Sequence, residues 1–277
     1  MSHFFRVTTI RIVLAAGAAL LATGGTMAGL ASASSAAEQL PAQQPPSIDH
    51  QLCYKATATG FKIPTGVVLK NQLSPKGFKP KITSVAFHCN PVQKSYLKGP
   101  IFKINNPHAH LLCFKITTVP QKQHLVFVSN QFGQGDVNVA QPDLLCLPSW
   151  KRLAGPPQQK RPQPPGLDHF TCYPVTLQQG SFQVPPGIML RDQFAPKPVS
   201  VKVSNVPVEL CVPTQKTIGK HVTKIINSTM YLLCFPVSKT PFKPKVFDKN
   251  QFGTGVVHIS RTSWRWLCLP TQENFIR

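Results

Sequence analysis

The sequence predicts an all-β fold in which short antiparallel strands form disulfide-linked repeats. Three observations lead to this class: eight cysteines recur in evenly spaced pairs, apolar and polar residues alternate, and 28 of 277 residues are proline. Alternation with a period of two marks half-buried strands, and it is clear at 124–128 and 199–203. Proline interrupts helices and central strands, so we expect it at turns and edges. The chain should form sandwich-like or barrel-like modules, with the sandwich as the favoured geometry.

The cysteine pairs divide the chain into four units of similar length. They are Cys53/Cys89, Cys113/Cys146, Cys172/Cys211 and Cys234/Cys268. The first cysteines lie 60, 59 and 62 residues apart. Alternate units are more alike than neighbours, because units one and three share Asp-His-x-x-Cys-Tyr, whereas units two and four share Leu-Leu-Cys-Phe and Gln-Phe-Gly-x-Gly. We therefore predict two tandem modules of two units each.

The predicted modules occupy residues 49–153 and 167–277, and the segment 154–166 joins them. That segment has five prolines in thirteen residues and no bulky apolar side chain, so we expect a semi-rigid, extended spacer. Residues 1–37 have the charged start, apolar core and small-residue end of a secretory signal peptide, and a Pro-rich segment follows at 38–48. No other stretch approaches the 20 or so apolar residues of a membrane span. The mature protein is therefore predicted to be secreted.

Export favours disulfides over metal binding for the eight cysteines. We expect bonds within the units, as Cys53–Cys89, Cys113–Cys146, Cys172–Cys211 and Cys234–Cys268, because an equivalent bond can then form four times. The main alternative links neighbouring units, as Cys89–Cys113 and Cys211–Cys234.

The chain is strongly basic. After removal of the signal peptide, which carries two of the 30 lysines and arginines, 28 basic residues face 9 acidic ones, a net charge of +19. Such a field favours anionic partners, here a cell-wall polymer or acidic polysaccharide, although high charge also serves solubility alone. The candidate contacts are Lys79, Lys81, Lys239, Lys243, Lys245 and Lys249. No specific nucleic-acid signature accompanies them.

Catalytic and cofactor motifs are absent from the sequence. The few acids do not form an evident pair for glycosidase chemistry, and there is no Gly-x-Ser-x-Gly or His-Glu-x-x-His pattern. His50, His110 and His169 precede a first cysteine by three residues, but Tyr231 holds that place in unit four. A shared packing role with one hydrogen bond therefore fits better than zinc. We predict no enzyme and no cofactor; an exported hydrolase with a site between the modules is the alternative.

An Asx-Gln-Phe element recurs midway through each unit. Its first residues are Asn71, Asn130, Asp192 and Asn250. Because amide and acid interchange at this position, a turn or hydrogen-bond role fits better than a general base. We expect the aromatic ring to fill the core and the glutamine amide to tie a turn. The alternative is a set of ligand-contacting edges.

Together these motifs resemble an uncharacterised family of exported bacterial repeat domains. The pattern is His-x-x-Cys-Tyr, then Asp/Asn-Gln-Phe-Gly, then Leu-Cys-x-Pro-x-x-Lys, and it covers all four units. The chain departs from it with Ser-Pro or Ala-Pro after Gln-Leu/Phe in units one and three, and it lacks the closing lysine in unit four. The resemblance implies bacterial export and domain identity without a mechanism. The expected function is non-enzymatic binding or structure, in association with anionic polymers of the cell envelope.

Overall fold

The computed structural model describes residues 48–238, 245–260 and 265–275, the side chain of the last residue excepted. The predicted signal peptide, and Lys239 and Lys243, lie outside these ranges. The strands are β1 (Gln51–Thr59), β2 (Val67–Lys70), β3 (Lys81–Pro91), β4 (Gln93–Tyr96), β5 (Ile101–Phe102), β6 (His110–Thr117), β7 (His124–Asn130), β8 (Gly133–Val139), β9 (Leu144–Arg152), β10 (His169–Phe182), β11 (Ile188–Arg191), β12 (Val199–Ser200), β13 (Glu209–Ile218), β14 (His221–Thr223), β15 (Tyr231–Val237), β16 (Lys245–Asn250), β17 (Gly253–Ile259) and β18 (Arg265–Phe275). The all-β prediction is confirmed.

Eight of these strands form one closed antiparallel barrel. They pair in the order β1, β3, β6, β9, β10, β13, β15 and β18, and β18 pairs back with β1. Each strand carries one cysteine, so each unit supplies two strands and one disulfide. Of the two geometries predicted, the structure has the barrel, and all four units share it. Closure leaves this sheet without a free edge.

The cysteines face the barrel interior. All eight line one small central space of about 10 Å³, together with Leu111, Leu144 and Leu232. The disulfides are Cys53–Cys89, Cys113–Cys146, Cys172–Cys211 and Cys234–Cys268, each joining residues directly opposite on paired strands. The alternative partners Cys89 and Cys113 are not opposite each other, since Cys89 faces Leu111.

Proline occurs inside the barrel strands as well as at turns, which differs from the prediction. The prolines of the four Cys-x-Pro tripeptides are Pro91, Pro148, Pro213 and Pro270. Paired cysteines have Cα atoms 3.9 Å apart, as in the narrow, non-hydrogen-bonded kind of antiparallel pair. Two residues on, each proline is in a pair of the same kind, so its missing N–H removes no hydrogen bond to that neighbour.

Two hairpins extend the barrel and interlock its halves. The β7–β8 hairpin of unit two lies between β10 and β18, which belong to units three and four. The β16–β17 hairpin of unit four lies between β1 and β9, which belong to units one and two. The boundaries 49–153 and 167–277 therefore describe the sequence repeat, whereas strand pairing joins the two halves.

The Pro-rich segment 154–166 packs against the protein. The Trp150 indole Nε1 donates to the carbonyl oxygen of Arg161 at 3.0 Å, and Lys249 Nζ donates to that of Gln159 at 2.6 Å. Pro157 and Pro164 are buried. The segment thus runs along the surface of β9 and β16 and is held by these contacts.

Smaller sheets complete the shell. Strands β2 and β14 pair with the end of β13, and β12, β11, β4 and β5 form a four-stranded sheet. The alternating stretch 199–203 is a strand only at β12, and Val203 makes a single bridge to Val237. Within the described ranges, no helix has the length and hydrophobicity needed to cross a bilayer.

Candidate functional site

Four equivalent side-chain clusters surround the barrel, and we call them clusters one to four. Each combines the residue three before a first cysteine, the residue five after the second cysteine of that unit, and the Gln-Phe pair of the next unit around the ring. The members are His50, Lys94, Gln131 and Phe132 in cluster one; His110, Lys151, Gln193 and Phe194 in cluster two; His169, Lys216, Gln251 and Phe252 in cluster three; and Tyr231, Glu273, Gln72 and Leu73 in cluster four.

Cluster one holds a buried ammonium group among π faces. Lys94 Nζ donates to the Gln131 side-chain oxygen and, at 2.9 Å, to the Tyr96 hydroxyl. It lies 4.6 Å from the ring centre of Phe102, 4.8 Å from that of Phe132 and 4.9 Å from that of Tyr96. Desolvation by burial lowers the pKa of Lys94 to about 7.

Cluster three repeats this arrangement. Lys216 Nζ donates to the Gln251 side-chain oxygen and lies 5.3 Å from the Phe252 ring centre. Burial lowers the pKa of Lys216 to about 8 and that of His169 to about 3. The histidine of cluster one has the same shift, to about 3, from burial and from the charge of Lys94. Both imidazoles are therefore neutral at physiological pH.

Cluster two is tied to a buried polar network. Lys151 Nζ lies 4.2 Å from the Phe194 ring centre and donates to Asn90 Oδ1 at 2.5 Å, while Gln193 is exposed. Asn90 Nδ2 donates to Asp192 at 2.8 Å. Burial lowers the pKa of Lys151 to about 7, although Asp192 and Asp248 oppose that shift.

The network continues to a fully buried histidine–aspartate pair. His88 Nδ1 lies 2.8 Å from Asp248 Oδ2, and His88 Nε2 lies 3.0 Å from Asn90 Oδ1. Neither His88 nor Asp248 has any exposed side-chain surface. The pair connects β3 to the β16–β17 hairpin, and so to the other half of the chain.

The Asx residue has the turn role that the sequence predicts, whereas the glutamine amide does not tie the turn. The turn is tied by Asx: Phe132 N donates to Asn130 Oδ1 at 2.8 Å, and Phe252 N donates to Asn250 Oδ1 at 2.7 Å. The glutamine instead reaches the lysine and histidine of clusters one and three. The rings of the element fill the core as expected, since Phe132 and Phe252 are buried.

One end of the barrel interior contains two neighbouring carboxyl groups. Glu209 lies opposite Cys234, next to the central space that the eight cysteines line. Burial, together with the neighbouring Asp143, holds the pKa of Glu209 well above its usual range. Phe87 and Trp266 stack at the same end with ring centres 4.1 Å apart. Within the described residues, no three His, Cys, Asp or Glu side chains converge as metal ligands.

The surface is almost purely cationic. None of the eight acidic residues in the described ranges is exposed, whereas 19 of the 24 lysines and arginines there are. Within the same ranges, no exposed lysine or arginine lies within 4.0 Å of a described carboxylate, and the His88–Asp248 pair is internal. Almost all of the positive charge therefore faces solvent without a carboxylate partner.

Basic and aromatic side chains lie next to each other on the sheet of β1, β17, β16 and β9. We call this surface the basic face. Three cross-strand pairs form it: Lys245 with His258, Phe247 with Arg152, and Lys249 with Trp150. Lys245, Arg152 and His258 are exposed, and the other three are half-buried. Lys245 Nζ lies 5.5 Å from the Phe247 ring centre.

A family model described as "Repeat of unknown function (DUF7450)" matches residues 110–270, more than half of the chain. The chain belongs to the DUF7450 repeat family. No curated protein and no solved structure matches it.

The DUF7450 repeat also produces a second sheet equivalent to the basic face, which we call the non-basic face; it carries the half-buried Asp136 opposite Phe127. It consists of β10, β8, β7 and β18, and the corresponding pairs are Leu125 with Asn138, Phe127 with Asn274, and Ser129 with Gln272. The aromatic ring of β16 is kept in β7, but every basic residue is replaced. The two faces therefore share a backbone and differ in charge.

The predicted polyanion contacts of this DUF7450 protein are only partly together. Lys245 and Lys249 lie on the basic face, whereas Lys79 and Lys81 are exposed at the start of β3, where Lys81 faces Thr117. The sequence prediction missed Arg152, His258 and Trp150. Arg152 and Trp150 come from unit two, and only the pairing of β9 with β16 brings them beside Lys245 and Lys249.

Proposed function

We propose that this protein is an extracellular, non-enzymatic binding protein whose basic face holds an anionic polysaccharide or cell-wall polymer. The observation that carries the proposal is the contrast between two equivalent sheets, one basic and aromatic, the other without a basic residue at any of the corresponding positions. Charge needed only for solubility would have no reason to differ between them. Four disulfides fit an oxidising, extracellular environment.

The geometry of the basic face suits an extended polymer. Lys245 and Lys249 are four residues apart on one strand, which places their Cα atoms about 13 Å apart. Arg152 lies on the neighbouring strand opposite Phe247. Arginine binds carboxylate or phosphate with two parallel hydrogen bonds, and the half-buried rings of Phe247 and Trp150 offer surfaces for sugar rings. A chain with repeated anionic groups can engage several of these at once.

The non-enzymatic character is supported by what the basic face contains. Its six side chains are cationic, aromatic or imidazole, and no carboxylate pair for acid–base chemistry lies among them. The acids of the described ranges are buried or half-buried, and His88–Asp248 is sealed inside.

The test is binding of polygalacturonate and of a teichoic-acid polymer, with neutral dextran as a reference, by calorimetry at low and moderate salt. The variant Arg152→Asn, Lys245→Gln, Lys249→Ser brings two residues of the non-basic face and an amide into the basic face. We expect at least about tenfold weaker binding to an anionic polymer, and salt-sensitive binding by the wild type.

A control variant removes three exposed charges elsewhere, Lys98→Gln, Lys122→Gln and Lys220→Gln, and should stay within about threefold of the wild type. Equal losses in both variants would mean that binding follows total charge, which would contradict a dedicated face. Shortening of the polymer during incubation would favour the hydrolase alternative.

A further inference from the structure

Cluster four differs from the other three clusters at three positions at once. Tyr231 replaces histidine, Glu273 replaces lysine and Leu73 replaces phenylalanine. These changes are chemically linked, because the face of an aromatic ring attracts an ammonium group and repels a carboxylate. In the cluster where glutamate replaces lysine, an aliphatic leucine therefore replaces the phenylalanine ring. The three substitutions in cluster four are therefore chemically consistent with one another, and we do not interpret them as random loss of the lysine cluster.

Three members of cluster four, Gln72, Tyr231 and Glu273, line a cleft that is open to solvent. Both carboxylate oxygens of Glu273 are buried at its wall, and neither has a hydrogen-bond partner within the described residues. The cleft has a volume of about 520 Å³ and is also lined by Ser228, Thr229 and Asn274. The Tyr231 hydroxyl donates to the Gln72 side-chain oxygen, as His50 and Lys94 contact Gln131 in cluster one. Among the described residues, no lysine, arginine or histidine forms an ion pair with Glu273. The cleft thus combines a carboxylate and an amide oxygen with space for a small group.

We propose that this cleft binds the ammonium group of an external ligand, in the place that the lysine Nζ occupies in clusters one and three. A carboxylate and an amide oxygen are the acceptors that an ammonium requires, and the amide oxygen has two lone pairs, of which Tyr231 uses one. The ligand is either a free primary amine or the lysine side chain of a polypeptide. The site is separate from the basic face and independent of the function proposed there.

Protonation of Glu273 supports this assignment. Burial raises its pKa to about 7, so a bound cation would stabilise the ionised form. Two phenols face it, Tyr231 on β15 and Tyr173 on β10, and burial raises the pKa of both. Because both phenols stay neutral near pH 7, ligand binding should strengthen as the pH rises through the range in which Glu273 ionises.

The experiment is a titration of the full chain with n-butylammonium chloride at pH 8, followed by the NMR signals of the Gln72 side-chain amide and the Tyr231 ring. We expect saturable shifts in the millimolar range, and none with n-butanol, which has the same shape without the charge. Nα-acetyl-lysine amide forms the second arm: tighter binding than butylammonium indicates a lysine side chain, and equal binding indicates a free amine.

Two variants and one control decide the outcome. Glu273→Gln should weaken butylammonium binding at least about tenfold, and the triple variant Leu73→Phe, Tyr231→His, Glu273→Lys should abolish it by supplying an internal ammonium. Asp136→Asn removes a half-buried acid of the neighbouring sheet and should leave the affinity unchanged. If Glu273→Gln does not fold, wild-type affinity at pH 5.5 should be at least about tenfold below that at pH 8.

The proposal is overturned if wild-type protein shows no saturable shift, if butanol binds as well as butylammonium, or if Asp136→Asn loses as much affinity as Glu273→Gln. Binding of Ca²⁺ at the same signals without binding of butylammonium would also overturn it, since it would indicate a metal site.

Discussion

At the scale of single residues, the protein buries lysines without nearby carboxylates. Lys94 and Lys216 rely on amide oxygens and ring faces. A desolvated cation–π contact contributes up to about 2 kcal/mol, and a hydrogen bond to a charged group contributes about 1.5 to 3 kcal/mol. These contacts do not fully offset desolvation, because the pKa values of both lysines remain lowered. Such lysines make the stability of the fold depend on pH.

Lys94→Met tests this dependence. The pKa of Lys94 is about 7 in the folded protein against an ordinary 10.5, so the unfolded chain binds more protons between these values. The free energy of unfolding of the wild type should therefore rise relative to that of Lys94→Met as the pH increases from 7 to 9.5, by on the order of 2 to 3 kcal/mol. Urea unfolding without reductant at the two pH values measures the difference.

The matched control for Lys94→Met is Lys98→Met, which changes an exposed lysine four residues away. The difference in free energy of unfolding between Lys98→Met and the wild type should be the same at both pH values. If the free energies of unfolding of the wild type and Lys94→Met change equally with pH, the folded and unfolded states do not differ in the protonation of Lys94 in this range.

At the scale of elements, the Gly-x-Gly of units two and four serves the hairpins. Gly133 and Gly253 have φ angles of 137° and 109°, which favour glycine at the turn. The second glycine has a different reason. A Cβ atom on Gly255 would overlap the Thr59 carbonyl oxygen and the Phe61 ring, because β1 and β17 approach closely there. The turn therefore requires only the first glycine.

Gly255→Ala should destabilise the protein by about 2 kcal/mol, since overpacking at a backbone contact forces a shift of β1 against β17. Gly219→Ala is the control: its φ of 57° is unfavourable for alanine, but nothing lies within 4 Å of the added Cβ, so we expect a loss of about 1 kcal/mol or less. Urea unfolding at neutral pH compares them. Equal losses would show that contact with β1 does not limit position 255.

Sequence reasoning succeeded where one element carries its own pattern and failed where distant elements meet. Cysteine spacing and the buried ring of Asx-Gln-Phe are local to a unit, and both appear in the structure. Cluster four is different: Leu73 comes from unit one, and Tyr231 and Glu273 come from unit four. Along the chain, the three positions at which cluster four differs from the other clusters have no evident connection. They share a site because β2 pairs with β13, and β13 lies next to β15, which pairs with β18.

At the scale of the whole molecule, the two halves complete each other. Each half places its hairpin between strands of the other, and the contacts β9–β10 and β1–β18 close the barrel. The buried His88–Asp248 pair also crosses between halves. An isolated half would expose its unpaired barrel edges and the apolar surface beneath the missing hairpin. We therefore expect that a single half of the repeat does not fold by itself.

This arrangement predicts that residues 49–153 and 167–277 do not fold when each is produced alone. When the two are mixed under oxidising conditions, we expect them to fold together. Each half alone lacks partners for two barrel strands, and unpaired edges together with exposed apolar surface disfavour a closed core. Near-ultraviolet circular dichroism and cooperative thermal unfolding measure the result. The control is the full chain cleaved at a protease site inserted within 154–166, which should keep its native spectrum because the pieces stay paired. A cooperative transition in either half alone would contradict the interlocked fold and restore two independent modules.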